Sequence, residues 1–244
     1  MTNLNFNKKT LIITLILGLI LILIIANQPK VYAGHPFYRI KLLNEAITVL
    51  FIRPEVNKLH YNWSLVVNRF NETKFYIDSH NQDTDNMDIR ISGLLEQFSG
   101  QINKFLFNLS VVDDLGREVA DDAWLMIKFL ADAERKMSLA NIARVDGLIN
   151  NLEQSILISG GYDILIDNIN QDIAPATPVQ LIGLNKIILK LETISEIDQA
   201  QLLVDSALKL DALLTDNFKP INSFLENSDY VLNLIRERRL DLTH

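Results

Sequence analysis

A long uncharged apolar run near the N-terminus constrains this chain more than any other feature of its sequence. Leu11–Ala26 carries no charged residue and is interrupted only by Thr14 and Gly18. As a helix rising ~1.5 Å per residue it is ~24 Å long, and residues 10–28 together approach the ~30 Å hydrocarbon core of a bilayer. A helix in a soluble core normally keeps a polar face, which this run lacks. We therefore expect a signal peptide or a transmembrane helix.

The charges around the apolar run predict its orientation. Lys8 and Lys9 precede it, and the first acidic residue of the chain is Glu45. Because the positive flank of such a segment stays in the cytoplasm, we expect a cytoplasmic N-terminus and an extracytoplasmic location for the rest of the chain.

Two fates of this segment remain open. Val31-Tyr32-Ala33 places small or branched residues where a signal peptidase requires them, so cleavage between Ala33 and Gly34 would secrete the remainder. Alternatively the segment stays uncleaved and residues 10–28 hold the chain in the lipid bilayer as a single-pass anchor. In both cases residues 1–33 form a separate targeting region.

Composition excludes several classes of function. The chain has no cysteine, which excludes disulfides, thiol catalysis, iron–sulfur clusters and Cys-ligated zinc. Its net charge is −7, and the three lysines before residue 34 are the only charges there, so the exported part is more acidic still. An acidic surface disfavours nucleic acid as a partner. The sequence does not indicate an oligomeric state or a particular protein partner.

The exported part shows the apolar spacing of helices and no convincing alternating strands. Individual boundaries are marked by Ser138 as an N-cap, by Gly160-Gly161 as a helix end, and by Thr177-Pro178 with Gln180 as a capping box. The predicted helices cover 39–52, 54–77, 89–112, 117–137, 139–158 and 162–176, with further helices starting near residues 177, 195 and 220.

Short connections between these helices favour antiparallel neighbours. The sequence therefore predicts an all-α, up-and-down helical bundle, either single or divided into two stacked helical subdomains. The division that we favour gives an N-terminal helical domain over 34–113 and a C-terminal bundle over 117–244. Residues 160–176 are the alternative boundary.

The start of the exported part carries a short pattern of motif residues. It comprises Pro36-Phe-Tyr-Arg-Ile-Lys41, Glu45, Pro54-Glu55, Leu59-His60, and Arg69 with Glu72. Over residues 36–72 this pattern resembles a bacterial extracytoplasmic domain of unknown function, number 5667, whose members are similar in having "P-x-Y-x-L-K-x-x-x-E", "L-H" and "R-x-x-E" after a signal or membrane segment. The resemblance implies an exported helical domain and no particular activity.

Candidate catalytic and metal-binding residues do not form a recognisable set. The four histidines lie apart from partners at metal or triad spacing, and His60 reads as a helix-packing residue. The acidic stretch Asp83–Asp88 lacks the Gly and Glu positions of a calcium loop, since Asp88 and Leu94 stand there. Adjacent carboxylates such as Asp121 and Asp122 do not face each other on a helix. We predict no catalytic, cofactor or metal site.

Two apolar stripes are better explained by core packing than by binding. Leu181, Leu184, Ile188 and Leu191 follow heptad-like spacing for fewer than two heptads, which favours packing within the chain over a dimer seam. Phe98 and Phe105 share a helical face, whereas Phe107 falls off it and is the aromatic residue to examine for exposure.

These observations favour a non-enzymatic protein of the bacterial cell envelope, exported or membrane-anchored, with a structural or protein-interaction role. The alternative is a ligand-binding or sensor bundle at the cell surface that acts with a membrane partner.

Overall fold

Helices account for all the regular structure in the described part of the chain. The computed structural model describes residues 8–26, 28, 30–32, 35–52, 55–80, 85–109 and 115–217. No strand occurs in these ranges, which confirms the all-α helical bundle expected from the sequence. The helices are α1 (Lys8–Ala26), α2 (Tyr38–Phe51), α3 (Glu55–Ser79), α4 (Asp85–Asn108), α5 (Leu115–Ala133), α6 (Leu139–Ile158), α7 (Tyr162–Ile173), α8 (Pro178–Ile188) and α9 (Glu196–Asn217), with a 3-10 turn at Glu134–Lys136.

The chain divides into two units, Met1–Gln101 and Ile102–His244, and the division falls within α4. The boundary expected near residues 113–117 lies mostly outside the described residues, and the proposed domains 34–113 and 117–244 stay a prediction. The helix expected after Pro220 also lies outside the description.

The N-terminal unit holds α1, α2, α3 and most of α4. Trp63 of α3 and Phe98 of α4 are fully buried, and the ring of Phe70 lies 6.0 Å from that of Phe98. α1 packs against α2. Most of its described apolar side chains are nevertheless between 47% and 65% exposed, whereas Ile22 is half-buried. The exposed ones are Ile13, Leu15, Ile16, Leu17, Ile20, Leu21 and Ile24.

None of the helices in the described part of the chain combines the length and the apolar character that crossing a membrane requires. The expected cleavage residues Ala33 and Gly34 lie outside the described part of the chain, as do several side chains of α1.

The C-terminal unit is built around α5, which packs against α6, α7 and α8. Apolar residues at helical spacing place one broad face of α5 in the core, and Trp124 on this face is 3% exposed. The buried members of this face are Leu115, Val119, Ala120, Ala123, Trp124, Met126, Ile127 and Leu130. The stripe from Leu181 to Leu191 is buried as well, within the chain itself.

The predicted helix boundaries have the expected local chemistry. Ser138 caps α6 and accepts a hydrogen bond from the backbone of Asn141. At the other end of α6, Gly160 has φ 80°, and the amide of Gly161 donates to the carbonyl of Ile156 at 2.9 Å, which is a Schellman closure. The amide of Thr177 donates to the side chain of Gln180 at 2.9 Å at the start of α8.

Candidate functional site

The most unusual feature of the described residues is a helix whose polar side faces inward. On α2, Tyr38, Lys41 and Glu45 lie along one stripe because residues three and four apart share a helical face. Lys41 is 2% exposed and Glu45 is 8% exposed, and they are the buried residues of this helix. The exposed apolar residues of α2 lie mainly on the opposite side. We call the buried charges on α2 and α3 the charge cluster, and it comprises Lys41, Glu45, Arg69 and Glu72.

The α3 half of the charge cluster is Arg69 and Glu72, which are three residues apart and therefore lie on one face. Lys41 Nζ lies 2.7 Å from Glu72 Oε1. The guanidinium of Arg69 spans both carboxylates, with Nη1 donating to Glu72 and Nη2 donating to Glu45. Two cations and two anions thus neutralise one another between the helices.

Tyr38 of α2 and Gln97 of α4 link the charge cluster to a third helix. The Arg69 guanidinium lies 5.7 Å from the centre of the Tyr38 ring, within the range of a cation–π contact. The Tyr38 hydroxyl donates to the side chain of Gln97 on α4. The charge cluster therefore connects α2, α3 and α4 of the N-terminal unit.

The pKa values of the charge cluster and of Tyr38 are shifted by burial and by the neighbouring charges. Burial raises the pKa of the Glu72 carboxyl above its ordinary value, although Arg69 and Lys41 oppose this. Burial alone would lower the pKa of Arg69, but the charges of Glu72 and Glu45 outweigh it and the pKa rises. The pKa of Tyr38 is raised to about 12, mainly by burial.

The carboxylates of the charge cluster are incompletely bonded. Glu45 Oε1 and Glu72 Oε2 are buried without a hydrogen-bond partner. A buried acceptor without a partner costs about 1–3 kcal/mol, and a charged one costs more. Every charged group nevertheless has an oppositely charged neighbour, so the arrangement is suited to fixing helix positions rather than to delivering a free acid, base or nucleophile.

A second buried carboxyl lies in the C-terminal unit. Glu153 of α6 is 1% exposed, and its Oε2 accepts a hydrogen bond from the backbone amide of Glu192 at 3.2 Å. Its Oε1 has no hydrogen-bond partner. Burial raises the pKa of Glu153 to about 7, so its charge changes near neutral pH.

Other polar contacts of the C-terminal unit fix its helices. Asp172 of α7 accepts hydrogen bonds from Trp124 Nε1 at 2.7 Å and from Lys128 Nζ at 2.6 Å. Over the ranges that the structure describes, no three His, Asp or Glu side chains form a group that could hold a metal ion.

The residues singled out by sequence fall in different places. The structure brings together Tyr38, Lys41, Glu45, Arg69 and Glu72, all of which belong to the pattern over residues 36–72. His60 is half-buried on α3, and Pro54 lies outside the described residues. The sequence shows these motif residues, but their contact with one another was not predicted. Its one indication in the sequence is that Lys41 and Glu45 lie on the side of α2 opposite the apolar stripe.

Comparison with known proteins finds no matching family model, no matching curated protein and no matching solved structure.

Proposed function

We propose that this chain is an exported, membrane-anchored or secreted helical protein of the bacterial cell envelope with a non-enzymatic structural or protein-interaction role. The observation that carries the proposal is the apolar exterior of α1. Leu15 and Ile24 are nine residues apart, which places them about 180° apart around the helix. They are 65% and 57% exposed, so apolar side chains project from opposite sides of α1.

The two lysines at the start of α1 give the proposed orientation. Lys8 and Lys9 would remain in the cytoplasm, and the following helical units would lie outside it. If the segment is retained, residues 10–28 contact the lipid bilayer. If it is removed after Ala33, the remainder is released. The resemblance over residues 36–72 to an extracytoplasmic domain family is consistent with either outcome.

The non-enzymatic role is supported by the state of the buried charges. Lys41, Glu45, Arg69 and Glu72 neutralise one another in a closed helix–helix contact. A catalytic acid or base needs a proton that a substrate can reach. The charge cluster is buried and paired, which suits a scaffold.

One observation favours the alternative, a surface ligand-binding or sensor bundle that acts with a membrane partner. Glu153 has a buried oxygen without a partner and a pKa of about 7. A cationic or hydrogen-bond-donating ligand would stabilise its charged form. A ligand-dependent rise in the unfolding temperature that is lost in Glu153→Gln would favour this alternative over the structural role.

Fractionation of a C-terminally tagged chain tests the principal proposal. Met1 or Thr2 at the N-terminus together with retention in carbonate-washed membranes supports the anchored form, and Gly34 with a soluble extracytoplasmic pool supports the secreted form. Leu17→Arg places a charge within α1 and should cause cytoplasmic retention, whereas Ile89→Arg, at an exposed position of α4, should not. A full-length, soluble cytoplasmic protein would contradict the proposal.

A further inference from the structure

The outward side of α2 is an exposed apolar surface, which we call the α2 face. It contains Leu42, Leu43, Ile47, Leu50 and Phe51. These side chains are exposed even though α1 packs against α2, and Leu50 and Phe51 are 76% and 80% exposed. Leu43, Ile47 and Leu50 follow one another at four and three places and share one stripe of the helix, with Leu42 and Phe51 on its two sides.

The charge cluster explains why this side points outward. Lys41 and Glu45 lie on the opposite side of α2, and their ion pairs with Glu72 and Arg69 hold that side against α3. Rotating α2 to bury the α2 face would break these pairs and strand Glu72 and Arg69. A buried ion pair that loses one partner is strongly destabilising, because the remaining charge is left buried without its counter-charge. The orientation of α2 is therefore fixed, and its apolar side remains available.

The exposed charges of the segment that carries the α2 face have one sign. Between residues 28 and 51 the charged residues are Lys30, Arg39, Lys41 and Glu45. Lys30 and Arg39 are exposed, whereas Lys41 and Glu45 are buried in the charge cluster. Arg39 lies on the same stripe as Leu42 and Leu43, at its N-terminal end. This segment thus presents cationic groups beside apolar side chains, in a chain that is acidic overall.

A helix with an apolar face bordered by cations matches the interface of a membrane that contains anionic lipid. The chain position of α2 agrees with that partner, because α2 starts at Tyr38, shortly after α1 ends at Ala26. Arg39 can reach phosphate groups while its stem lies along apolar surface.

We propose that α2 lies in the outer headgroup region of the membrane, with the α2 face directed into the lipid and Arg39 and Lys30 near anionic headgroups. This inference rests on the proposed anchoring by α1. The charge cluster then acts as the connection between a lipid-bound helix and α3. Anchoring and surface docking together would hold the N-terminal unit close to the bilayer.

Site-directed spin labelling of the full chain tests the proposal directly, because the chain has no native cysteine. Leu50→Cys reports on the α2 face, and Leu17→Cys reports on α1. Ile89→Cys on α4 is the matched control, since Ile89 is 70% exposed and Leu50 is 76% exposed. Each variant is reconstituted in vesicles of phosphatidylcholine with a minor share of phosphatidylglycerol.

Collision with dissolved oxygen reports contact with lipid, and collision with a nickel chelate reports contact with water. We expect the labels at positions 17 and 50 to collide more often with oxygen than with the nickel chelate. The label at position 89 should show the reverse. Omitting phosphatidylglycerol, or adding Arg39→Gln, should increase nickel access at position 50 and leave position 17 unchanged.

The outcomes separate the two proposals. A lipid-exposed label at position 17 with a water-exposed label at position 50 overturns interfacial docking and leaves anchoring intact. Water exposure at both positions overturns both. Shielding of position 50 from both reagents, with spin–spin coupling between chains, shows that a second copy covers the α2 face and overturns the lipid assignment. The near-ultraviolet spectrum of buried Trp63 and Trp124 verifies that each labelled chain remains folded.

Discussion

Lys41 of α2 and Glu72 of α3 form an ion pair of 2.7 Å in which both side chains are almost completely buried. Removing two charges from water is costly, and their attraction offsets that cost only while both are present. The pair therefore contributes little to the net free energy of folding but strongly disfavours any arrangement in which it is broken. We infer that it specifies how α2 is rotated against α3.

A double-mutant cycle across this pair should show strong coupling. Lys41→Met leaves Glu72 with one cation fewer, and Glu72→Gln leaves Lys41 and Arg69 with one carboxylate fewer. We expect each single change to lower the free energy of unfolding by about 3–5 kcal/mol. The double variant retains the neutral Arg69–Glu45 pair. Its loss of unfolding free energy should therefore be smaller than the sum of the two single losses by about 0.5–3 kcal/mol. Urea unfolding in detergent measures all four proteins.

The exposed pair of Arg135 and Asp132 is the control for this cycle. Their side chains are 72% and 70% exposed, and exposed pairs contribute little. Asp132→Asn should change the unfolding free energy by no more than about 0.5 kcal/mol. Additive losses for Lys41→Met and Glu72→Gln would contradict the view that the charge cluster acts as a unit.

Arg69→Lys should be destabilising although it conserves charge. The guanidinium donates through different nitrogens to Glu45 and Glu72, and it also lies over the ring of Tyr38. A single ammonium does not reproduce this planar arrangement. We expect a loss of about 1.5–3 kcal/mol, the contribution of one hydrogen bond to a charged group.

The matched substitution is Arg144→Lys on α6. Arg144 is exposed, and its contacts are a carbonyl at 3.3 Å and the Asn141 side chain at 3.4 Å. We expect the midpoint temperature of thermal unfolding of this variant to equal that of the parent within experimental error. Equal effects of the two Arg→Lys changes would show that Arg69 acts only as a positive charge.

Local sequence chemistry predicted much of the fold because helix starts and ends depend on nearby residues. Ser138 begins α6, Gly160-Gly161 ends it, and Thr177 with Gln180 begins α8. The exposure of Phe107, which is 90%, also followed from its position off the stripe of Phe98 and Phe105. In each case the determining residues lie within one or two helical turns.

The arrangement of α2 was not predictable in the same way. An apolar stripe such as Leu43, Ile47 and Leu50 normally indicates the buried side of a helix. Here the opposite side is buried, because Lys41 and Glu45 find partners on α3 that lie more than 20 positions further along the chain, as in the contact of Arg69 with Glu45. The charge cluster depends on these distant contacts, which spacing within one helix does not encode.

Gly161→Ala should destabilise the C-terminal unit through a close helix contact. A Cβ atom at position 161 would lie 2.9 Å from the Ala120 Cβ and even nearer to the backbone oxygen of Gly116. Backbone atoms cannot move aside cheaply, so we expect a loss of about 1–3 kcal/mol. Gly147→Ala is the control, since a Cβ there meets nothing within 4 Å on α6. It should stabilise the helix by about 0.5–1 kcal/mol. Urea midpoints that shift in the same direction for both would exclude the proposed clash.

Glu153 should make the stability of the C-terminal unit depend on pH. Burial raises its pKa from 4.5 to about 7, so the folded state binds a proton more tightly than the unfolded state. The resulting stabilisation is complete below about pH 4.5 and is lost as the pH rises through about 7. Since one pKa unit corresponds to about 1.4 kcal/mol, the loss is on the order of 3 kcal/mol.

Glu153→Gln removes this titration while keeping an oxygen that can accept the hydrogen bond from the Glu192 amide. The variant should therefore gain stability relative to the parent between about pH 5 and about pH 8, by up to about 3 kcal/mol. Glu96→Gln, at an exposed carboxyl on α4, is the control for the loss of one carboxylate. Urea unfolding across this range measures all three proteins. Parallel profiles for the parent and Glu153→Gln would show that Glu153 stays charged in the folded protein, and its unpaired oxygen would then require a cationic neighbour or water.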